Sequence, residues 1–282
     1  MSEYRKGSLH PLTILQEEAY SLFSKLGFEI ASGPEMETEW YNFDALNVPK
    51  DHPARDMQDT FYIKGKSVKL EESLTQVLGS PLAQPDRSSN LSSNFADLDK
   101  LASSQTIPET TSDSARSVLR THATNVTART LERAAKENLK EIASISIGKV
   151  FRNEATDITH EMQFYQIDGC MIGENVNLSH MKGVLIELYK KVLGPDVEIE
   201  FRPSFFPFTE PSVEVHAKFN GKWLEMMGGG MLHPNVLRNV GLDPERVQGF
   251  AFGGGLDRIA MIRWNIPDVR LFYQGDLRIN QF

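Results

Sequence analysis

GKVFRNEATDITHEMQFYQIDG, residues 148–169, decides how the rest of the chain is read. Two runs of alternating side chains flank a polar connection, the pattern of two strands joined as a hairpin. Val150, Arg152 and Glu154 share one side of the first run; Phe164, Gln166 and Asp168 share one side of the second. A face carrying Arg, Glu, Gln and Asp makes a poor core face, because polar groups buried without partners cost free energy. Pattern alone leaves two readings open, a hairpin with one solvated face or a polar cleft inside a larger sheet. In the second, Arg152 suits a bidentate grip on a phosphate or carboxylate, Glu154 accepts from an amine, and Phe164 offers a stacking surface.

Upstream, Leu12, Leu15, Ala19, Leu22, Phe23 and Leu26 recur at helical spacing, with Pro11 in the first turn and Gly27 as the stop. Residues 28–38 read as an extended segment bent at Gly33-Pro34. Residues 39–63 predict a helix, a proline-rich turn and a strand over 60–63. From 64 to 117 the chain turns rich in Ser, Thr, Pro, Asp and Gln. It reads as a mobile insertion with short helices near 70–78 and 95–102. A short strand over 118–122 follows, then a helix capped by Thr124 or Asn125 and ending near Asn138.

Downstream, the pattern predicts a strand over 170–173, a helix capped by Asn177 or Ser179 and stopped at Gly194-Pro195, and three alternating strands. A short helix opened by Pro234 and a buried strand running through glycines into a last helix complete the chain. Strands with helices alongside and no regular βαβ alternation indicate an α+β fold around an antiparallel sheet. It is read as a single domain over 1–282 with the insertion at 64–117.

The totals bound the function. With 40% hydrophobic and 24% charged residues the composition is that of a globular domain. The single cysteine, Cys170, rules out an intrachain disulfide or a cysteine-built metal site and points to a cytoplasmic location. No apolar run is long enough to span a bilayer, so no membrane partner is expected. The net charge of −8 argues against a large basic face holding nucleic acid unaided.

Two further stretches carry chemistry. In FRPSFFPFTEPS, residues 201–212, prolines force extension, so Phe206 and Phe208 project to one side as an aromatic-binding pair, while Phe201 and Phe205 are assigned to core packing. GGGLDR, residues 253–258, lacks dinucleotide-fingerprint or P-loop spacing. Its glycines let a helix start close to a ligand, with Arg258 in the first turn.

These stretches resemble a known family. FRNE, the loop with His160 and then Phe164 look like motif 2 of the class II aminoacyl-tRNA synthetases; GGGLDR is similar to motif 3, and the segment around Pro34 to motif 1. HPARDMQDTFY, FPFTEPS and GGGMLHPNVLRNVG narrow the resemblance to phenylalanyl-tRNA synthetase alpha chains, over nearly all of the chain outside 64–117.

The resemblance implies a ligase with a class II-like antiparallel sheet. It joins L-phenylalanine to ATP, with Mg²⁺, and then to tRNA(Phe), beside a separate beta subunit. It implies that Arg152 is catalytic, bridging the amino-acid carboxylate and the ATP α-phosphate. Glu154 then reads the adenine amino group, His160 meets the ATP phosphates, and Phe164 and Arg258 cover the two faces of the adenine. His122, Thr124, Gln166 and Asp168 surround the substrate ammonium, and Phe206 and Phe208 hold its ring above Ala251. Glu210 shares a Mg²⁺ with the beta chain.

Thr124, Thr127 and Asp168 depart from the serine, glutamine and glutamate usual in the family. The chain also starts almost directly at HPLT, without the family's coiled-coil arm, so tRNA is expected to be held largely by the partner. Two rivals remain at this stage: an amino-acid-activating ligase that does not use tRNA, and an idle paralogue acting as a binding or regulatory subunit.

Overall fold

The computed structural model describes residues 7–56, 59–63 and 116–281. The chain opens with α1 (Pro11–Lys25), whose first turn is closed by His10: its Nδ1 accepts the Leu12 N–H at 3.2 Å. Gly27, at φ +84°, lets the chain leave the helix, as the sequence predicts. Short strands β1 (Glu29–Ile30) and β2 (Met36–Thr38) follow, then a π-helical turn over Trp40–Asp44 and a 3₁₀ turn over Pro53–Arg55. After 115 come β3 (Ser117–Leu119), α2 (Thr124–Lys136), β4 (Ile142–Phe151), β5 (Gln163–Gly173) and α3 (Leu178–Leu193). Three long strands, β6 (Ile199–Phe206), β7 (Thr209–Phe219) and β8 (Lys222–Leu232), then α4 (Pro234–Asn239), β9 (Gln248–Gly255) and α5 (Leu256–Trp264) complete the elements that matter here.

Among the described residues, seven strands form one sheet in the order β1-β4-β5-β9-β8-β7-β6. Only β1 and β4 run parallel; every other neighbouring pair is antiparallel, which gives the expected α+β class. Both faces are covered, so the strands sort their side chains by alternation. Ile145, Ile167, Phe250 and Phe252 belong to the core shared with α1, α3 and α5, built on Phe23, Leu185, Tyr189 and Ile259. Cys170, Ile172 and Ala251 belong to the core on the opposite face, with Phe43, Leu131 and Val236. Gln166 and Asp168 precede Cys170 at the two-residue period, so they lie on the face that carries α2. No helix among the described residues is long and apolar enough to cross a membrane.

Several sequence expectations are corrected. The strand expected over 170–173 is the end of β5, which runs unbroken because β9 pairs with it from Gln166 to Gly173. Residues 60–63 make a single bridge, Tyr62 to Val118, rather than a strand. β4 stops at Phe151; Arg152 adds one more rung, its N–H donating to Met162 O at 2.9 Å, and Glu154 lies in the connection. α2 has Ala123 as its cap residue with no side-chain cap bond, because the Thr124 hydroxyl is used elsewhere. Phe205 is 82% exposed, because alternation on β6 turns it away from Phe206; Phe201 packs against the core as expected. The insertion boundary falls short of 117, since Ser117 opens β3, and the helices expected near 70–78 and 95–102 lie outside the described residues.

Close backbone approach fixes one glycine. Between Thr209 and Ser212 the β7–β8 register shifts, and a Cβ on Gly230 would stand 2.2 Å from Pro211 O and 2.9 Å from Ser212 Cα. These are backbone atoms, so Gly230→Ala should destabilise the fold by about 1–3 kcal/mol or more. Gly183, inside α3 with nothing within 4 Å of its Cβ position, is the opposite case. Gly183→Ala should stabilise by up to about 1 kcal/mol through helix propensity. Chemical denaturation of both variants checks the pair, and equal effects would contradict the packing described.

Candidate active site

On the α2 side of the sheet, β5, β9 and β8 enclose a cavity of about 390 Å³. Its walls include His122, Thr124, Arg152, Phe164, Gln166, Asp168, Phe206, Phe208 and Ala251, nine of the residues singled out from sequence. Space exists here because glycines occupy the rungs: Gly228 pairs with Gly253, and Gly229 with Phe252. A Cβ on Gly228 would come within 2.5 Å of the Phe206 ring, so that ring enters only over a glycine. Phe206 and Phe208 lie nearly parallel, with centroids 5.9 Å apart and planes 9° apart, and both line the cavity. Ala251, 3% exposed, sits between Cys170 and Gly230 on neighbouring strands.

The Asp168 carboxylate lines the same cavity. It is 2% exposed, and each oxygen accepts one threonine hydroxyl: Thr124 Oγ1 to Oδ2 and Thr127 Oγ1 to Oδ1, both at 2.7 Å. Two hydroxyls on α2 thus reach one carboxylate on β5. Burial pushes the Asp168 carboxyl up to about 7, against the two hydroxyl donors and the Arg120 charge, which lower it. Gln166 Oε1 accepts the Ala123 N–H at 2.8 Å, which orients its amide N–H₂ as a pair of donors.

His122 is driven down to about 4, first by burial and then by the Arg152 charge, so its imidazole is neutral at neutral pH. Its Nε2 lies 2.9 Å from Asn42 O and therefore carries the proton. Nδ1, buried and unpartnered, is left as an acceptor.

Arg152 stands at the cavity mouth. Its guanidinium lies 5.2 Å from the Phe164 ring centroid, donates to Thr121 O at 3.4 Å and stands 3.6 Å from Glu154. The remaining candidates do not line the cavity. His160 is exposed in the 152–162 connection and paired with Asp157 at 3.0 Å. Arg258 lies three residues after Gly255, a cavity residue, in the first turn of α5. The Glu210 side chain is 72% exposed and paired with His233 at 3.3 Å. No group of three or more His, Cys, Asp or Glu side chains that could hold a metal ion occurs among the described residues.

Sequence reasoning missed Glu225, Met226 and Met227 on β8, and the glycines beside them, as cavity residues. The available signal was a second glycine triplet, Gly228–Gly230, matching Gly253–Gly255.

Asp168 makes stability depend on pH in a definite direction. Its unfolded carboxyl ionises near 3.8 while the folded one keeps its proton to about 7, so the fold loses stability as pH rises through that window. The slope from this group is at most about 1.4 kcal/mol per pH unit. Between about pH 5 and pH 7, Asp168→Asn should therefore gain roughly 1–3 kcal/mol relative to the parent chain. Urea denaturation at both pH values measures the gap, and parallel profiles would contradict a raised Asp168.

Comparison with known proteins gives one answer. The family model for the tRNA synthetases class II core domain (F) matches residues 1–282. A phenylalanine–tRNA ligase alpha subunit from Lysinibacillus sphaericus is 43% identical over 98% of this chain and 68% of its own length. Proteins of the same name from Cupriavidus pinatubonensis and Anoxybacillus flavithermus are 41% and 42% identical, over 98% of this chain and 68% and 69% of theirs. The chain belongs to the class II aminoacyl-tRNA synthetases, in the family of the phenylalanine–tRNA ligase alpha subunits.

Proposed function

We propose that the cavity is the adenylation site of this ligase, with the amino acid held between Asp168 and the Phe206–Phe208 pair. The chain is a phenylalanine–tRNA ligase alpha subunit, forming phenylalanyl-adenylate from L-phenylalanine and ATP and passing the phenylalanyl group to tRNA(Phe). The observation that carries the site assignment is one buried carboxylate and one aromatic pair in the wall of a single cavity. That arrangement suits a molecule with an ammonium at one end and a benzene ring at the other.

The substrate ammonium meets the Asp168 carboxylate and the free Nδ1 of neutral His122, with Thr124 beside them. Gln166, whose amide donors remain, suits the substrate carboxylate better than the ammonium expected from the family pattern. A carboxylate oxygen attacks the α-phosphorus of ATP, and the bond to the pyrophosphate oxygen breaks. No protein nucleophile is needed: positioning and charge stabilisation carry the step. Arg152, now resting over Phe164 beside Glu154, is placed to bridge the carboxylate and the α-phosphate. Phe164 and Arg258 take the two faces of the adenine, Glu154 its amino group, and His160 the phosphates.

Class II synthetases use ATP with Mg²⁺ in general. Glu210 offers one exposed carboxylate, suited only to a metal whose site the beta subunit completes, and no step is routed through it. The net charge of −8 supports a reading in which that partner makes most of the tRNA phosphate contacts. A cytoplasmic location accords with the single, buried cysteine.

Phenylalanine-dependent ATP–pyrophosphate exchange tests the reading. Arg152→Ala should lower the rate about 10²–10³-fold, the value of one donor set on developing charge. Near-parental turnover by a folded variant would make Arg152 structural. Ala251→Gly removes one methyl from the cavity wall and should improve para-chlorophenylalanine relative to phenylalanine by about 1–3 kcal/mol in kcat/KM. Unchanged selectivity would place the substrate ring elsewhere.

A further inference from the structure

Asp257 is a buried carboxylate that the adenylation chemistry leaves unused. It stands in the first turn of α5, next to Arg258, and is 3% exposed. Both oxygens are satisfied by groups from elsewhere in the chain: Oδ2 accepts the Tyr165 N–H at 2.8 Å, and Oδ1 accepts the Tyr273 hydroxyl. The first of these bonds has a topological origin. The β5–β9 ladder ends at Gln166–Gly255, because β9 passes into α5 there, so the strand partner beyond Gln166 is lost. The side chain of Asp257 takes the place of that missing rung.

The consequence is a mechanical tie. Tyr165 follows Phe164 directly, and Asp257 precedes Arg258 directly. One carboxylate therefore joins the backbone beneath the ring of Phe164 to the turn that carries Arg258, and Tyr273 braces it from beyond Val269–Phe272. An acidic residue in a helix's first turn ordinarily just complements the helix dipole from the surface. This one is withdrawn from water and holds two donors on separate segments, a costly arrangement unless both bonds are made.

We propose that Asp257 is a positioning residue for the nucleotide: it sets the spacing between Phe164 and Arg258, the two walls of the adenine slot. The inference rests on the assignment of those walls made above. A carboxylate that served only folding would, when removed, weaken both substrates alike or neither, whereas a spacer acts on ATP alone.

The test is ATP–pyrophosphate exchange with the full chain and its beta subunit, varying ATP and phenylalanine separately. Asp257→Ala should raise the KM for ATP about tenfold or more and leave the KM for phenylalanine within about twofold. Asp257→Asn, which keeps one acceptor, should fall between, and Tyr273→Phe should raise the ATP KM a few-fold, about the value of one hydrogen bond. Should Asp257→Ala not fold, the other two variants, at parental melting temperature, decide by the same criterion. Equal rises in both KM values, or an unchanged ATP KM, would overturn the proposal. Phe164→Ala and Arg258→Ala serve as references. If neither raises the ATP KM, the slot assignment itself falls and this inference with it. If both do and the Asp257 and Tyr273 variants do not, only the inference falls.

Discussion

Burial of one carboxylate constrains most of the site. Asp168, on β5, is buried with two hydroxyl donors, and the charge that acts on it is that of Arg120. Holding it there commits Thr124 and Thr127, one helical turn apart on α2, to the sheet rather than to the helix's own end. It also commits Gly253: a Cβ there would stand 2.7 Å from Asp168 Oδ2. A buried charge with so little compensation keeps its proton until something positive arrives.

The cavity itself is an omission of side chains. Where β8 and β9 run together, Gly228 faces Gly253, and the room their missing side chains leave is taken by the Phe206 ring over Gly228 and the Asp168 carboxylate over Gly253. Sheets this well covered normally fill such positions with branched side chains, so a strip of glycines marks a place where something other than the chain belongs. Function here lives in what two strands lack as much as in what Arg152 and Asp168 supply.

Much of this was legible in the residues. The helix over 11–25 announced itself by apolar spacing and its proline start, and Asn177 capped α3 as expected, its Oδ1 accepting the Ser179 N–H at 3.0 Å. Residue types and alternation also placed Gln166 and Asp168 on one side of one strand. What failed did so for tertiary reasons. Thr124 has the look of a cap until the carboxylate on β5 is known to compete for its hydroxyl. Phe205 reads as core by hydrophobicity, yet alternation on an edge strand turns it to solvent once Phe206 is committed inward. Asp257 was hidden because its partners, Tyr165 and Tyr273, come from distant segments that no local pattern joins.

On the proposed site assignment Asp168, neutral in the free cavity, becomes the counter-ion of the bound substrate ammonium. Calorimetric titration with phenylalanine in two buffers of different ionisation enthalpy measures this directly. At about pH 6 close to one proton should be released per phenylalanine bound, since the ammonium pulls the carboxyl below the buffer pH, and none from Asp168→Asn. Binding with no proton release by the parent chain, or equal release by both, would contradict it.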